Sequence, residues 1–288
     1  MDTKREVQVI TRQEEQYPEK FRQLSDMPEK FWLMGELPPG NAPCLAIVGA
    51  RNCSSYGENM AFEFARLLAG EGVCIISGLA AGVDGAAHRG ALAGGGKTYG
   101  VLGCGVDICY PPENKYLYDR IIEQGAVLSE YPPGTRPNAW QFPERNRLIS
   151  GMADCVVITE ARQKSGSLIT VKHALEQGVD VCAVPGRIND VLSNGCNRLI
   201  QEGAFPATST LDILFNMGIN VKKNEKTKIF LEKQNEVLYS VLDLQPQTPD
   251  EIMQKTGMNR GTVYEGLLWL LMHGLAEEPV KNYYIRKE

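Results

Sequence analysis

Two short stretches concentrate the side chains best suited to chemistry in this 288-residue chain: FPERNRLISG from Phe142 to Gly151, and SGSLITVKHAL from Ser165 to Leu175. The first places Arg145, Asn146 and Arg147 behind an aromatic, Phe142, and the second offers Ser165, Gly166, Ser167 and Thr170. Both read as helix starts, where unpaired backbone N–H groups and the positive end of the helix dipole favour an anion. Guanidinium forks match phosphate oxygens, and an exposed aromatic stacks on a nucleobase for about 1–3 kcal/mol. Neither stretch carries an obvious catalytic set, so the chemistry they suit is gripping a phosphodiester, not cleaving it. Simpler roles stay open: one arginine could pair with Glu144 or Glu160, Phe142 could be core, and Ser165 or Ser167 could serve only as an N-cap worth roughly 1 kcal/mol.

Other candidates carry less. Asp84 and His88 lie four apart on one predicted helix, a spacing open to an acid–base pair or a metal, but two residues do not make a zinc site and they read as a surface pair. His173 and His273 are lone histidines and are assigned no chemistry. No catalytic residue, metal or cofactor is expected.

The elements that must position these residues are legible from Cys44 onward. Short apolar runs (LAIVG, VCIIS, CVVIT) alternate with helix-length segments, and their residues are apolar one after another. That pattern suits strands buried on both faces of a parallel sheet with helical crossovers, a doubly wound α/β domain. Gly72, Gly125, Gly178 and Gly203 mark helix stops. Ligands of such sheets bind beyond the carboxyl ends of the strands. The residues found there are Gly49-Ala50-Arg51, Ser77-Gly78, Gly103-Cys104-Gly105 and Lys164-Ser165-Gly166-Ser167, rich in glycine and hydroxyl with a fixed charge at Arg51. The first turn reads GARNCSSYG without the dinucleotide fingerprint, Ile108 stands where Gly103-x-Gly105 would need its third glycine, and no GxxxxGK[ST] appears. A nicotinamide or flavin enzyme and a nucleoside triphosphatase are therefore disfavoured.

With 43% hydrophobic residues, 29 glycines and 16 prolines, the chain suits one medium core and a small second unit. No apolar run reaches the ~18 residues of a membrane span, and the charged first twenty residues are unlike a signal peptide, which points to the cytoplasm. The eight cysteines are scattered, with no CxxC, and read as reduced core residues. A net charge of −5 argues against a generally basic nucleic-acid binder, yet between Arg136 and Lys172 six basic residues face three acidic ones, a local patch of +3. After Gly218 a polar, lysine-rich segment reads as a linker. Three short helical patterns and two strands then follow in the order of a winged helix, with GTVYEGLLWLLMHG as the second helix of a helix-turn-helix. Its start offers only Asn259 and Arg260, and residues 222–288 balance ten basic against ten acidic side chains, so duplex DNA and protein partners both remain open.

The segments LAIVGAR, IISGLAAGVDGAAHRGAL, LGCGVDICYPPEN, FPERNRLISG, EARQKSGSLITVKHALEQG and VPGRINDVLSNGCNRLIQEGA, over about residues 44–210, resemble the DNA-processing protein A family, also called DprA or Smf. The lead-in stretch YPEKFRQLSDMPEKFWLMGELP and the C-terminal winged helix resemble further parts of that family. The resemblance implies a lead-in segment at 1–40, a Rossmann-like, mostly parallel single-stranded-DNA-binding domain at 41–218, a linker at 219–232 and a winged helix at 233–288. The sterile-alpha-motif-like N-terminal domain of many relatives is expected to be absent or a stub.

Family members bind single-stranded DNA in a positive pocket, protect it, load the RecA recombinase and help it displace single-strand-binding protein, in natural transformation or recombination, and they pair as homodimers. By this resemblance Arg51, Ser77, Gly78, Arg145, Asn146, Arg147, Lys164, Ser165, Gly166 and Ser167 fall on phosphate-binding positions, with Phe142 as the base-contacting aromatic. A second reading is a sensor or hydrolase of small nucleotides, since the core also resembles cytokinin-activating phosphoribohydrolases. Those carry PGGxGTxxE with a catalytic glutamate, whereas Val171 and Lys172 follow the threonine here and no glutamate comes before Glu176.

Overall fold

The computed structural model of the protein describes residues 5–219, 233–243, 245–272 and 275–287. The chain divides into two compact units, one up to Val221 and the other from Lys222. The expected linker at 219–232 lies, save Ile219, outside the described residues, as does His273.

The first unit is built on a nine-stranded sheet: β1 (Gln8–Thr11), β2 (Lys30–Gly35), β3 (Cys44–Val48), β4 (Cys74–Ser77), β5 (Thr98–Val101), β6 (Ala126–Ser129), β7 (Cys155–Ile158), β8 (Asp180–Ala183) and β9 (Phe205–Pro206). Their spatial order is β1-β2-β6-β5-β4-β3-β7-β8-β9. All pairs from β6 to β9 are parallel, while β2 runs antiparallel to both β6 and β1. The sheet is the doubly wound, mostly parallel one the apolar runs imply. The helices are α1 (Glu19–Gln23), α2 (Ser55–Gly70), α3 (Val83–Ala93), α4 (Lys115–Gln124), α5 (Gln141–Met152), α6 (Ser167–Glu176), α7 (Asn194–Gln201) and α8 (Thr210–Asn216).

Successive strand residues enter opposite cores, which is why both faces had to be apolar. Ala46, Ile76, Val156 and Ile158 pack with Leu148 and Ile149 of α5 and Val171 and Ala174 of α6. Leu45, Ile47, Ile75 and Val157 pack with Phe64 and Leu68 of α2 and Val83 and Ala86 of α3. Of the four expected helix stops, Gly72, Gly178 and Gly203 take left-handed φ of 86°, 72° and 109°.

The lead-in is not a separate segment. Phe21 and Phe31 are fully buried and Leu33 is 2% exposed, in the same core as Leu148 and Met152, and β2 extends the sheet from Gly35 to Trp32 along β6. The lead-in expected at 1–40 thus shares the core and the sheet of the domain that follows it.

In the second unit α9 (Lys233–Val241), α10 (Pro249–Thr256) and α11 (Arg260–Met272) precede a hairpin of β10 (Ala276–Val280) and β11 (Tyr283–Arg286). Gln247 adds a bridge to Tyr284 at the hairpin's side. Thr248 and Glu251 form a capping box at the start of α10. Leu238, Ile252, Val263, Leu267 and Leu270 close a core of their own.

Candidate nucleic-acid interface

The chain leaves β3 towards β4 on one side, and β7 pairs on the other, so the strand order reverses between β3 and β7. A ligand crevice belongs at the carboxyl ends of that pair. A cavity of about 680 Å³ opens there, lined by Gly49 to Asn52 after β3, by Arg162 and Lys164 to Ser167 after β7, and by Phe142, Arg145 and Asn146 of α5.

Two helix N-termini point towards this region, and they differ. At α2 the Ser54 side chain caps Gly57 N–H, while Glu160, 1% exposed, accepts from Ser54 N–H at 2.8 Å and from the Ser54 hydroxyl. The carboxylate lies against Gly57, where a Cβ would come within 2.5 Å of it. A side chain thus takes the position at which a dinucleotide-binding helix holds phosphate. At α6 no carboxylate intrudes. Ser165 and Ser167 hydroxyls lie 2.8 Å apart at its start, and Asn146 Nδ2 donates to Gly166 O at 3.4 Å, which ties α5 to that turn. Ser167 N–H reaches Ser165 Oγ at 3.4 Å, and Leu168 and Ile169 N–H turn back to the Ser165 and Gly166 carbonyls, so the hydroxyls and the positive end of the helix dipole are what this turn offers an anion.

The cationic rim consists of Arg51, Arg162 and Lys164, all exposed. Among the described residues no ion pair engages any of the three. The Arg51 guanidinium lies 5.1 Å from the Phe142 ring centroid, and Phe142 stands 5.5 Å from Tyr110 with 30° between ring planes. Tyr110 is 41% exposed, so a charge and two rings form one flat-sided wall. Phe142 is half-buried: it belongs to the wall, with Arg51 over its ring.

Arg145 behaves differently. It is 3% exposed, and its Nη1 donates to Gly78 O at 2.9 Å and to Val101 O, joining the ends of β4 and β5. Asp84 beside it accepts from Gly78 N–H at 3.1 Å and Ala80 N–H at 3.4 Å. Burial pulls the Arg145 guanidinium down to about 10 and pushes the Asp84 carboxyl up, each against the attraction of the other. Gly78 must be glycine, since a Cβ there would meet Arg145 and Asp84 at 2.6 Å.

Of the residues singled out in the sequence, Arg51, Phe142, Arg145, Asn146, Lys164, Ser165, Gly166 and Ser167 come together around the cavity. Ser77, Gly78 and Arg147 do not line it. Ser77 is fully buried with its hydroxyl on Ile47 O at 2.6 Å, and Gly78 is sealed under Arg145. Arg147 points to Glu130 in an ion pair whose side chains are 15% and 14% exposed. It departs from expectation because Arg145 and Arg147, two apart on a helix, leave on different faces. Neither arginine pairs with Glu144 or Glu160.

Asp84 and His88 are not a surface pair either: both are buried, and His88 Nδ1 sits 2.7 Å from Thr98 Oγ1. Thr98 donates its proton to Ile75 O, so it accepts from His88, and burial lowers the imidazole to about 3. Arg162, Asn52 and Tyr110 are lining residues that the motifs did not single out, although Arg162 lies in the basic stretch. All eight cysteines are free. No helix among the described residues is long and apolar enough to cross a membrane, and none of their His, Cys, Asp and Glu side chains cluster to hold a metal.

A doubly wound domain with an open cationic, aromatic crevice at its switch point defines a class of nucleotide- or nucleic-acid-binding proteins. Residues 8–218 match the family model described as DNA recombination-mediator protein A, and the chain belongs to that family, the DprA/Smf proteins. It is 46% identical to DNA processing protein DprA of Streptococcus pneumoniae over 198 residues, 69% of this chain and 70% of that protein. Protein Smf of Synechocystis is 31% identical over 319 aligned positions covering 97% of this chain and 80% of the relative. The X-ray structure of the Streptococcus pneumoniae protein matches with a TM-score of 0.70 at 42% identity, over 74% of this chain and 75% of that one. DNA processing protein A from Helicobacter pylori, studied for its single-stranded DNA binding mode, matches with a TM-score of 0.67 at 30% identity, over 75% of this chain and 98% of that one.

Proposed function

We propose that this recombination mediator binds single-stranded DNA in the cavity at the ends of β3 and β7, without cleaving it. The observation that carries the reading is the cavity wall: unpaired Arg51, Arg162 and Lys164 beside the Phe142–Tyr110 pair and the open start of α6. Phosphates are held by the three cations and the Ser165–Ser167 turn, and bases stack on the aromatic wall. Such contacts carry little base information, so sequence preference is weak.

Asp84, the carboxylate lining the cavity, is engaged with two backbone amides and faces Arg145, so it is poorly placed to act as a general base. Glu160, which follows β7 and occupies the α2 start, further disfavours a small nucleotide whose phosphate would need that helix start. The binding mode described for the Helicobacter pylori protein supports the same reading. On it, the protein acts in the cytoplasm as a homodimer, protects incoming DNA during transformation, loads RecA against single-strand-binding protein, and uses the second unit as a winged helix.

Fluorescence anisotropy of a labelled single-stranded oligonucleotide, with duplex competitor and a salt series, tests this. The expected result is tight binding that weakens steeply with salt and that duplex competes poorly. No binding at low salt, or release of free base from a nucleoside monophosphate, would overturn it.

A further inference from the structure

Beside the cavity an exposed tryptophan packs against the segment that follows β6. Arg147, which does not line the cavity, pairs with the partly buried Glu130, and Tyr131 is the next residue in the chain. The Tyr131 ring meets Trp140 edge to face, with centroids 5.9 Å apart and planes at 87°. The segment between them is tethered: Gly134 N–H donates to the Asp107 carboxylate at 2.9 Å, Thr135 O accepts from Gly105 N–H at 2.9 Å, and Asn138 O accepts from Gln141 N–H at 3.0 Å. Trp140 is nevertheless 57% exposed. A large ring held by its neighbours yet open to solvent loses little freedom when it acquires a flat partner.

The position adjoins the site. Pro137 and Ala139, just before Trp140, line the cavity, and Phe142 of the aromatic wall follows two residues later, with Cα atoms no more than about 7 Å apart. The exposed face of Trp140 offers a ring and no charge, which suits a base more than a phosphate.

We propose that Trp140, held edge to face against Tyr131, is a second stacking platform, taking an unpaired nucleobase next to those on the Phe142–Tyr110 wall. The inference rests on the single-strand reading above.

The test compares wild type, Trp140→Ala and Trp140→Phe by anisotropy with one labelled oligothymidine across a salt series, with thermal melting as a check on folding. Trp140→Ala should weaken binding roughly tenfold, the loss of one stacked base, and Trp140→Phe should recover most of it. The slope of log affinity against log salt should not change, since no phosphate contact is removed. Trp140 emission should also be quenched as the oligonucleotide binds. If Trp140→Ala binds as wild type does, or flattens the salt slope, the platform is overturned while the single-strand reading stands. If wild type itself binds no single strand, that reading fails and the platform with it.

Discussion

Arg145 and Arg51 line the same cavity in opposite circumstances. Arg145 is buried, bonded to Gly78 O and Val101 O and set against Asp84; Arg51 is exposed, lies over an aromatic face and has no ion pair among the described residues. The same division runs through the rest of the site. Nearby, Glu160 engages Ser54 and His88 engages Thr98, both buried and outside the cavity lining, whereas on the rim Arg162, Lys164 and the Ser165–Ser167 turn line the cavity, with no ion pair to either cation among the described residues. On the function proposed above, buried charge, the floor, serves stability and rim charge serves binding.

The sharpest way to break that division is Arg145→Ala. It leaves the Asp84 carboxylate buried with backbone partners alone and removes the tie between β4 and β5, a loss of about 3–5 kcal/mol in stability. Urea unfolding should show the drop. A variant as stable as wild type that fails to bind DNA would move Arg145 from floor to rim.

Arg51→Glu is the mirror case. It reverses a charge on the rim without touching a buried contact, and single-strand affinity should fall at least ~100-fold, about 2.7 kcal/mol, with a flatter salt dependence. The melting temperature should stay within a few degrees of wild type. A large drop in stability with binding intact would erase the contrast.

The buried groups around the site also carry a pH signature. His88 is held near 3 when folded against 6.5 for an ordinary imidazole, so the unfolded chain binds a proton that the folded one refuses. Its contribution is complete above pH 6.5 and declines as pH falls below it, by about 1.4 kcal/mol per unit until the folded value is reached. Over pH 6.5 to 5 wild type should lose about 2 kcal/mol more than His88→Gln. Chemical denaturation at matched pH values measures this, and parallel profiles would show that His88 titrates freely.

The sheet could be read from sequence because parallel strands buried on both faces leave unbroken apolar runs, as in LAIVG and CVVIT. The lead-in could not: KFWLMG joins antiparallel between β1 and β6, and its pairing with β6 is a long-range event without local pattern. Likewise the strand-end glycines and the FPERNR motif identify the crevice, but spacing alone does not say which face of α5 a given arginine leaves from. Arg145 and Arg147 looked equivalent, and packing sent one under the cavity and the other to Glu130. Tyr110 and Arg162 were missed since neither sits in a helix-start motif. Arg162 had a usable signal, its place four residues after Ile158 at the end of β7.

The smallest predicted effect tests the rim where charge is absent. The Ser165 and Ser167 hydroxyls bond to each other at 2.8 Å, and Ser165 Oγ accepts only a long bond, 3.4 Å, from Ser167 N–H, so neither is a firm cap. If they wait for phosphate, Ser165→Ala with Ser167→Ala removes two neutral donors to an anion while α6 keeps its backbone amides and dipole. Single-strand affinity should then fall about fivefold, roughly 1 kcal/mol, with helix content and unfolding midpoint unchanged. If they serve the fold as caps, the same double variant should lose about 1–2 kcal/mol of stability and bind normally. The two outcomes are exclusive, and the second would assign the start of α6 to the floor, beside the α2 start that Glu160 already fills.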